Sequence, residues 1–201
     1  MCAVDVSVVD DALSYLGCHA EVVTLDPRSI EEVLGTVEQV GAVLGARDEA
    51  AAIVADGRER LLKVRNALAL ELPRPVLMLE WTDPPFTAGH WVPDVVAAAG
   101  GEPVGGVPGG RSVSTTWEEN QALAPDVVLV AACGYDLAGS LAQAEQVAHH
   151  FPGLPIWAID ANGLVVRPGP RLVDWVEALA WAPHPDAVPA PPEGQIALLG
   201  A

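Results

Sequence analysis

The sequence is poor in basic residues. Lys and Arg together number 10 against 27 Asp and Glu, which gives a formal net charge of −17, and Lys63 is its single lysine. A field of that sign repels phosphate backbones and anionic lipid surfaces. We therefore expect no nucleic-acid partner and no binding to a membrane surface. The simplest interpretation of the net negative charge is that it keeps the protein soluble.

The sequence also lacks a long apolar run. No stretch reaches the roughly 18 apolar residues of a membrane-spanning helix, so we expect no membrane insertion. Residues 1–5 show neither the basic nor the apolar region of a secretory signal, which predicts a cytoplasmic protein. Cysteine is scarce as well. The three cysteines, Cys2, Cys18 and Cys133, are then expected to be free thiols and not a disulfide framework.

What is present indicates an ordered domain. The 201 residues are 51% hydrophobic and 18% charged, which excludes disorder for most of the chain. Helical spacing of apolar residues predicts a helix over 5–16, and a short strand is expected over 21–25. Ser29 and Glu32 form a capping box that opens a helical region of roughly 40 residues, with Gly45 as its expected break.

Beyond residue 75 the pattern changes to alternating strands and helices. Three apolar runs of strand length occupy 76–81, 126–132 and 155–159, a further short strand is possible over 102–104, and helical patterns lie between and after these runs. Such alternation predicts parallel strands with helices on both faces. We therefore expect an α/β fold, a three-layer Rossmann-like lobe. The proline-rich tail is expected to be irregular, with residues 196–199 docked on the surface.

Two loops that follow predicted strands form the candidate site. Ligands of open α/β sheets bind beyond the carboxyl ends of the strands. Loop 82–91 is flanked by tryptophans, is stiffened by two prolines and carries much of the aromatic content of a chain that is only 5% aromatic. With loop 133–136 it is predicted to bind a flat, largely apolar ligand. The candidate contacts are Trp81, Asp83, Pro85, Phe86, Gly89, His90, Trp91, Cys133, Gly134 and Tyr135.

Several of these residues could equally have a purely structural role. Trp81, Phe86 and Trp91 would equally pack a core. His90 is either an axial ligand to the metal of a flat macrocycle or a hydrogen-bonding loop residue that contributes little packing. Gly89 is expected to let the backbone approach the ligand closely or to adopt a positive φ.

Metal and catalytic patterns are absent. His149 and His150 are adjacent on a predicted helix, so their rings should point about 100° apart and not share one ion. Cys133-Gly134 follows a strand, but the Gly-x-Ser-x-Gly pattern of a nucleophile elbow is missing. No phosphate-binding glycine motif is present. We therefore predict neither a structural metal site nor an enzyme.

A longer segment carries a family resemblance. The stretch VLMLEWTDPPFTAGHWVP (76–93) is followed by Ala99-Gly100-Gly101. This order of strand, Pro-Pro-Phe-x-x-Gly, helix and Gly-Gly resembles the start of the C-terminal lobe of cobalamin-type substrate-binding proteins of ABC importers, a class that includes iron-siderophore binders. Segments 114–119, 125–128 and 167–171 resemble later parts of that lobe, and 29–68 resembles the family's rigid interlobe helix.

The resemblance covers residues 5–182 and implies a domain organisation. Residues 1–28 would be a remnant of an N-terminal lobe that is otherwise missing, and 29–70 the interlobe helical region. Residues 71–182 would be the C-terminal α/β lobe, and 183–201 a proline-rich tail.

The resemblance also implies a function. We expect non-covalent binding of a corrinoid such as cobalamin, or of a related tetrapyrrole or metal chelate, with no cofactor required. Because the family binds corrinoid between two lobes, the expected partner is a second copy in a homodimer, or a chain that supplies the missing lobe through 5–25. The apolar residues of that region are Val8, Val9, Leu13, Leu16, Val22 and Val23. The alternative is a ligand-free structural or interaction module that forms homo- or hetero-oligomers.

Overall fold

The computed structural model describes residues 6–17 and 19–200. Two of the predicted free thiols, Cys2 and Cys18, lie outside that range, as does residue 5 of the predicted first helix. The seven α-helices of the described chain are α1 (Val6–Leu16), α2 (Ile30–Leu44), α3 (Arg47–Ala67), α4 (Val92–Ala98), α5 (Trp117–Ala122), α6 (Leu137–Val147) and α7 (Leu172–Trp181). Its seven strands are β1 (Arg74–Thr82), β2 (Pro85–Thr87), β3 (Gly101–Val104), β4 (Val113–Ser114), β5 (Val127–Val130), β6 (Ile156–Ile159) and β7 (Ile196–Leu198).

Helices α2 and α3 form an antiparallel hairpin. The Ser29 side chain accepts from the Glu32 main-chain N–H and caps α2, while the Glu32 carboxylate accepts from the Arg28 N–H and not from Ser29. Gly45, at φ 71°, ends α2 in the left-handed conformation that glycine adopts without strain. The predicted break at Gly45 is therefore confirmed. The chain reverses at this glycine, so the segment 29–68, which resembles a rigid interlobe helix in sequence, is a pair of helices here.

Helix α3 is fixed to the rest of the fold by packing and by ion pairs. Leu34 of α2 and Val54 of α3 are buried in the same core as α7. On the outer surface, the Arg60 guanidinium contacts Asp174 at 2.6 Å and Glu177 at 2.5 Å, both on α7. One arginine shared between two carboxylates a turn apart holds the register of α3 against α7.

The sheet has the order β4-β2-β1-β5-β6-β7, and β3 pairs with β1 beside β2. Strands β3, β1, β5 and β6 are parallel, whereas β2, β4 and β7 join antiparallel. The α/β class with a parallel central sheet is confirmed. The strand expected over 102–104 is present as β3.

Both faces of the central strands are buried. Val76 and Met78 of β1 face the core beneath α2, α3, α4 and α7, whereas Leu77 and Leu79 face the core beneath α6. Because successive side chains of a strand point to opposite faces, each apolar run supplies two cores at once. The predicted three-layer arrangement follows from this alternation.

Three sequence expectations are corrected. The predicted strand 21–25 is wrong: residues 19–28 have no regular structure, and among the described strands none pairs with them, since an apolar run becomes a strand only where a neighbouring strand takes up its hydrogen bonds. The segment taken as loop 82–91 contains β2, which folds back on β1 as a hairpin. The tail is not wholly irregular, because β7 joins the sheet edge beside β6.

Candidate functional site

The three loops after β1, β5 and β6 meet at the carboxyl edge of the sheet. The main-chain N–H of Cys133 donates to the carbonyl of Glu80 at 3.0 Å, and the N–H of Asn162 donates to the carbonyl of Tyr135 at 2.9 Å. Parallel strands bring their carboxyl ends to one edge, and these two bonds hold the connecting loops together there. The two loops that the sequence singled out are therefore neighbours in space.

Trp81 and Tyr135 form the exposed aromatic feature of this edge. Their ring centroids are 5.9 Å apart and their planes are inclined by 47°. The indole N–H of Trp81 donates to the main-chain oxygen of Asp83 at 2.8 Å, which fixes the orientation of the ring. Trp81 is half-buried and Tyr135 is 36% exposed. The pair, called the aromatic platform below, presents π surface to solvent above the ends of two adjacent strands.

Glu80 organises the segment beside the platform. The register of the β1–β2 pair shifts between Leu79 and Trp81, which marks a β-bulge at Glu80. One carboxylate oxygen accepts from the Gly89 N–H at 3.1 Å, and the other accepts from the Ser112 hydroxyl. A half-buried carboxylate with both oxygens hydrogen-bonded is a structural clamp between β1, the hairpin and the glycine-rich loop 105–112.

His90 lies inside the same clamp. Its main chain exchanges hydrogen bonds with loop 105–112: N–H to Gly110 O at 2.6 Å, and O from Gly109 N–H at 3.0 Å. Its φ is 54°, in the left-handed region, and its residue surface is 5% exposed with Nε2 buried and unpartnered. Desolvation lowers the pKa of His90, and the Glu80 carboxylate opposes that effect.

Segment 26–28 approaches this clamp from the other side. The Arg28 guanidinium donates to Gly109 O at 3.3 Å and pairs with Asp26 at 2.8 Å. The hydrogen bond from Arg28 lowers the pKa of the Asp26 carboxyl. Arg28 thus joins the segment before α2 to loop 105–112, which is hydrogen-bonded to the main chain of His90.

The predicted contacts divide into a surface set and a buried set. The residues that reach solvent are Trp81, Asp83, Phe86, Cys133, Gly134 and Tyr135, whereas the residues beneath them are Pro85, Gly89, His90 and Trp91. The expectation that His90 is a loop-tip residue with little packing is wrong, because its residue surface is 5% exposed and its main chain is hydrogen-bonded to loop 105–112. Cys133 forms no disulfide within the part of the chain that the structure describes.

Gly89 has a different role from the one expected. A Cβ at this position would collide with the main chain of Arg111 and Ser112. The close approach that requires glycine is therefore made by the protein's own loop 105–112 and not by a free surface.

Sequence reasoning missed Glu80, Ser112 and Asn162. Glu80 gave a signal that could have been used, because it is a lone charge at the end of an otherwise apolar buried strand. Ser112 and Asn162 gave none, since hydroxyl and amide residues in a glycine-rich or turn segment are ordinary.

The rim of the platform is more acidic than basic. Asp83 and Asp136 are exposed beside Trp81 and Tyr135, and Asp136 caps α6 by accepting from Gly139 N–H at 2.9 Å. Arg167 donates to the Asn162 side-chain oxygen at 3.2 Å, and the Asn162 main-chain N–H donates to Tyr135 O.

Metal-ligating side chains do not cluster in the described chain: no three of His, Cys, Asp and Glu are placed to hold one ion. The geometry expected for His149 and His150 is wrong, however. Their ring centroids are 3.8 Å apart and their planes are inclined by 41°, and the pair lies in a 3₁₀ turn (Ala148–His150) at the end of α6. His150 stacks on Trp117 at 4.0 Å.

Comparison with known proteins defines the class. The sequence model of the periplasmic binding protein family matches residues 5–160, and that family consists of substrate-binding transport proteins and not of enzymes. The chain belongs to the periplasmic binding protein family. A comparison with curated protein sequences gave no match.

Solved structures share the fold. A periplasmic heme binding protein from Pseudomonas aeruginosa superposes with a TM-score of 0.78 at 21% identity, over 96% of this chain and 73% of its own. A periplasmic vitamin B12 binding protein of Vibrio cholerae superposes with a TM-score of 0.62 at 20% identity. The match covers 88% of this chain and 69% of the Vibrio protein. A periplasmic binding protein from Veillonella parvula superposes with a TM-score of 0.66 at 21% identity. The match covers 78% of this chain and 57% of the length of the Veillonella protein.

These findings overturn the predicted cytoplasmic location. The family and the solved relatives are periplasmic binding proteins, so reading a cytoplasmic protein from residues 1–5 was wrong. Among the described residues no helix combines the length and the apolarity that crossing a bilayer requires.

The packing at Gly89 generates a stability prediction. We expect Gly89→Ala to lower the melting temperature markedly, because the added methyl meets main chain that cannot rotate away. Gly169→Ala is the matched control, since nothing lies within 4 Å of a Cβ there. Calorimetric melting of both variants measures the difference, and equal melting temperatures would contradict the close contact with loop 105–112.

The burial of His90 generates a pH prediction. Its pKa is lowered in the folded chain from the ordinary 6.5, so the unfolded chain binds the proton more readily. This histidine therefore costs no stability above about pH 6.5 and removes stability as the pH falls from there toward its folded pKa.

His90→Asn, which tolerates the left-handed φ, should abolish that contribution. We expect the free energy of unfolding of the parent to fall more steeply than that of the variant between about pH 7 and pH 5. Denaturant unfolding at both pH values measures the two slopes. Equal slopes would show that His90 protonates as easily folded as unfolded.

Proposed function

We propose that the chain binds a flat metal-containing macrocycle or metal chelate, with a corrinoid as the first candidate, without covalent chemistry. The observation that carries the proposal is the aromatic platform of Trp81 and Tyr135, fixed above the carboxyl ends of β1 and β5. Offset aromatic rings are the protein surface best matched to a wide, flat, weakly polar ligand.

The residues at this edge divide into contacting residues and supporting residues. Trp81, Phe86 and Tyr135 supply the apolar contact area, and Asp83 and Gly134 supply polar groups at the rim. His90 is a supporting residue, because its imidazole is buried within the hairpin clamp and its main chain is committed to loop 105–112.

The structural relatives support the ligand class. The Pseudomonas aeruginosa relative is a heme binding protein and the Vibrio cholerae relative binds vitamin B12. Both ligands are flat macrocycles with a central metal. The acidic rim of this chain favours a neutral or amide-bearing macrocycle such as a corrinoid over one with free carboxylates, because like charges repel.

The platform is an open surface and therefore needs a second wall. Two grooves of about 440 and 210 Å³ lie elsewhere, beside β6–β7 and between α3 and α4. An open platform buries one side of a ligand, so binding by this chain alone should be weak, in the micromolar range or above, about −8 kcal/mol or less in magnitude.

A further polypeptide lobe that contacts α1 would supply that wall. Apolar residues of the α1 region are exposed: Val8 by 56%, Leu16 by 72% and Val22 by 41%. The chain also spans 57–73% of the three relatives described above. An apolar surface of this kind marks a contact with another polypeptide, and we propose that the contact is a lobe like the second part of those relatives.

The open aromatic platform and the exposed α1 region also support a second candidate function. A ligand-free interaction module would also present α1 and would not enclose a cavity. The two functions differ in one measurable property, because only the first predicts a spectral change when a macrocycle is added.

The test is an absorption and tryptophan-fluorescence titration with cyanocobalamin, hemin and a ferric hydroxamate. We expect cyanocobalamin to bind and to quench emission through Trp81, and Tyr135→Ala to weaken it about tenfold, or roughly 1.4 kcal/mol. Trp117→Ala is the control, since Trp117 stacks on His150, which follows α6 and precedes β6 at the opposite sheet edge. If no probe changes the absorption or the tryptophan fluorescence at millimolar concentration, the ligand-binding proposal is wrong and the interaction module is favoured.

The α1 contact has its own test. Because the proposed occupant is a different lobe and not a second copy, Leu16→Glu should leave the mass of the isolated protein unchanged. Light scattering measures that mass. Dissociation of a dimer by Leu16→Glu would instead show that a second copy covers α1.

A further inference from the structure

The two rings of the aromatic platform are carried by different elements of the fold. Trp81 belongs to β1, whereas Tyr135 lies in the loop between β5 and α6. The separation of 5.9 Å between their ring centroids is therefore set by how the beginning of α6 is held against the end of β1. Two side-chain contacts, one on each element, bear on that arrangement.

The ring of Tyr135 lies against the first turn of α6. Asp136 caps the helix by accepting from the Gly139 N–H at 2.9 Å. A Cβ at Gly139 would collide with Cδ1 of the Tyr135 ring and would lie 3.1 Å from its Cβ. Glycine at this position therefore lets the ring approach the helix closely, and the position of Tyr135 follows the position of this first turn.

One turn further along α6, Gln143 is bonded to the end of β1. The hydroxyl of Thr82 donates to the side-chain oxygen of Gln143, and Thr82 is 4% exposed. Residues four positions apart lie on the same face of a helix, so Gln143 shares a face with Gly139. Thr82 in turn directly follows Trp81 in β1.

We propose that Thr82, Gln143 and Gly139 are positioning residues of the aromatic platform, which together set the distance and the angle between its two rings. The contacts form a closed path: Trp81 precedes Thr82, Thr82 is bonded to Gln143, and the turn before Gln143 carries the glycine that Tyr135 lies against. None of the three positioning residues belongs to the contacting set of the proposed function, and they act through the two rings.

The main-chain hydrogen bonds at this edge do not supply the same restraint. The bonds from Cys133 N–H to Glu80 O and from Asn162 N–H to Tyr135 O fix the course of the loops. A main-chain bond leaves the side-chain torsions of its residues free to change rotamer. The direction of the tyrosine ring is limited by the surface beneath it, which is α6, and the Thr82–Gln143 bond holds α6 to β1.

A purely stabilising role for this bond makes a different prediction. A buried hydroxyl needs a partner wherever it lies, so loss of the bond lowers stability in either case. A positioning role predicts in addition that the geometry of the two rings changes. Thr82→Val removes the hydroxyl and keeps the shape of the side chain, whereas Thr82→Ser keeps the hydroxyl.

The test measures the ring geometry by NMR without a ligand. The indole N–H resonance of Trp81, identified by its loss in Trp81→Phe, senses the ring current of Tyr135 and moves in Tyr135→Leu. We expect Thr82→Val and Gln143→Leu to move it toward its position in Tyr135→Leu, and Thr82→Ser to leave it near the parent position. When residue 135 is already leucine, Thr82→Val should cause no comparable shift.

A second variant tests the helix side of the path, and each variant has a matched control. Gly139→Ala should move the same resonance, because its methyl displaces the tyrosine ring. Gly35→Ala, in α2 with nothing within 4 Å of a Cβ, should not. Thr87→Val is the control for Thr82→Val, since Thr87 is a buried strand threonine, 2% exposed, on β2. Melting curves verify that each variant is folded.

The effect on affinity rests on the proposed function and is measured by titration with cyanocobalamin. Thr82→Val and Gln143→Leu should each weaken binding about fivefold, and the double variant also about fivefold, because both changes remove the same bond. If the resonance moves but no macrocycle binds, the positioning role stands and the proposed function is wrong. A resonance that does not move, an equal shift in Thr87→Val, or parent affinity in variants whose resonance has moved would overturn the proposal.

Discussion

The structure depends on the complete enclosure of strand β1. Its two faces are buried in separate cores, one edge is paired with β5, and the other is shared between β3 at its start and β2 at its end. A strand paired on both edges and buried on both faces has no freedom to shift, because a slip of one residue would exchange every side chain between the cores. Trp81 lies near the carboxyl end of β1, so its main chain is held in place by the same pairing and burial.

The clamp around Glu80 extends this rigidity from the strand to the hairpin. A carboxylate that accepts from Gly89 and Ser112 would be costly to bury if either partner were lost. The clamp also accounts for the burial of His90 and for the requirement for glycine at position 89. The platform is therefore an exposed surface whose supports are buried.

Apolar and capping patterns made most of the fold predictable. The runs at 76–81, 126–132 and 155–159 became β1, β5 and β6, and Thr116 with Glu119 forms the capping box that starts α5. Patterns without a partner failed: residues 21–25 have strand composition but pair with nothing described. Short antiparallel strands such as β2 and β7 were also missed as strands, because three residues carry no measurable periodicity.

The candidate site was predictable as a pair of loops but not as a geometry. The sequence alone determined the α/β class, the position of the candidate loops at the carboxyl edge of the sheet, and the concentration of aromatic residues there. Each of these depends on local composition and on the direction of parallel strands. Only the tertiary structure decided that Trp81 and Tyr135 face solvent while His90 and Trp91 lie beneath them. The reason is physical, because the exposure of a residue depends on what packs against it. Here that is loop 105–112, which hydrogen bonds between residues 19 to 32 positions apart bring to the hairpin.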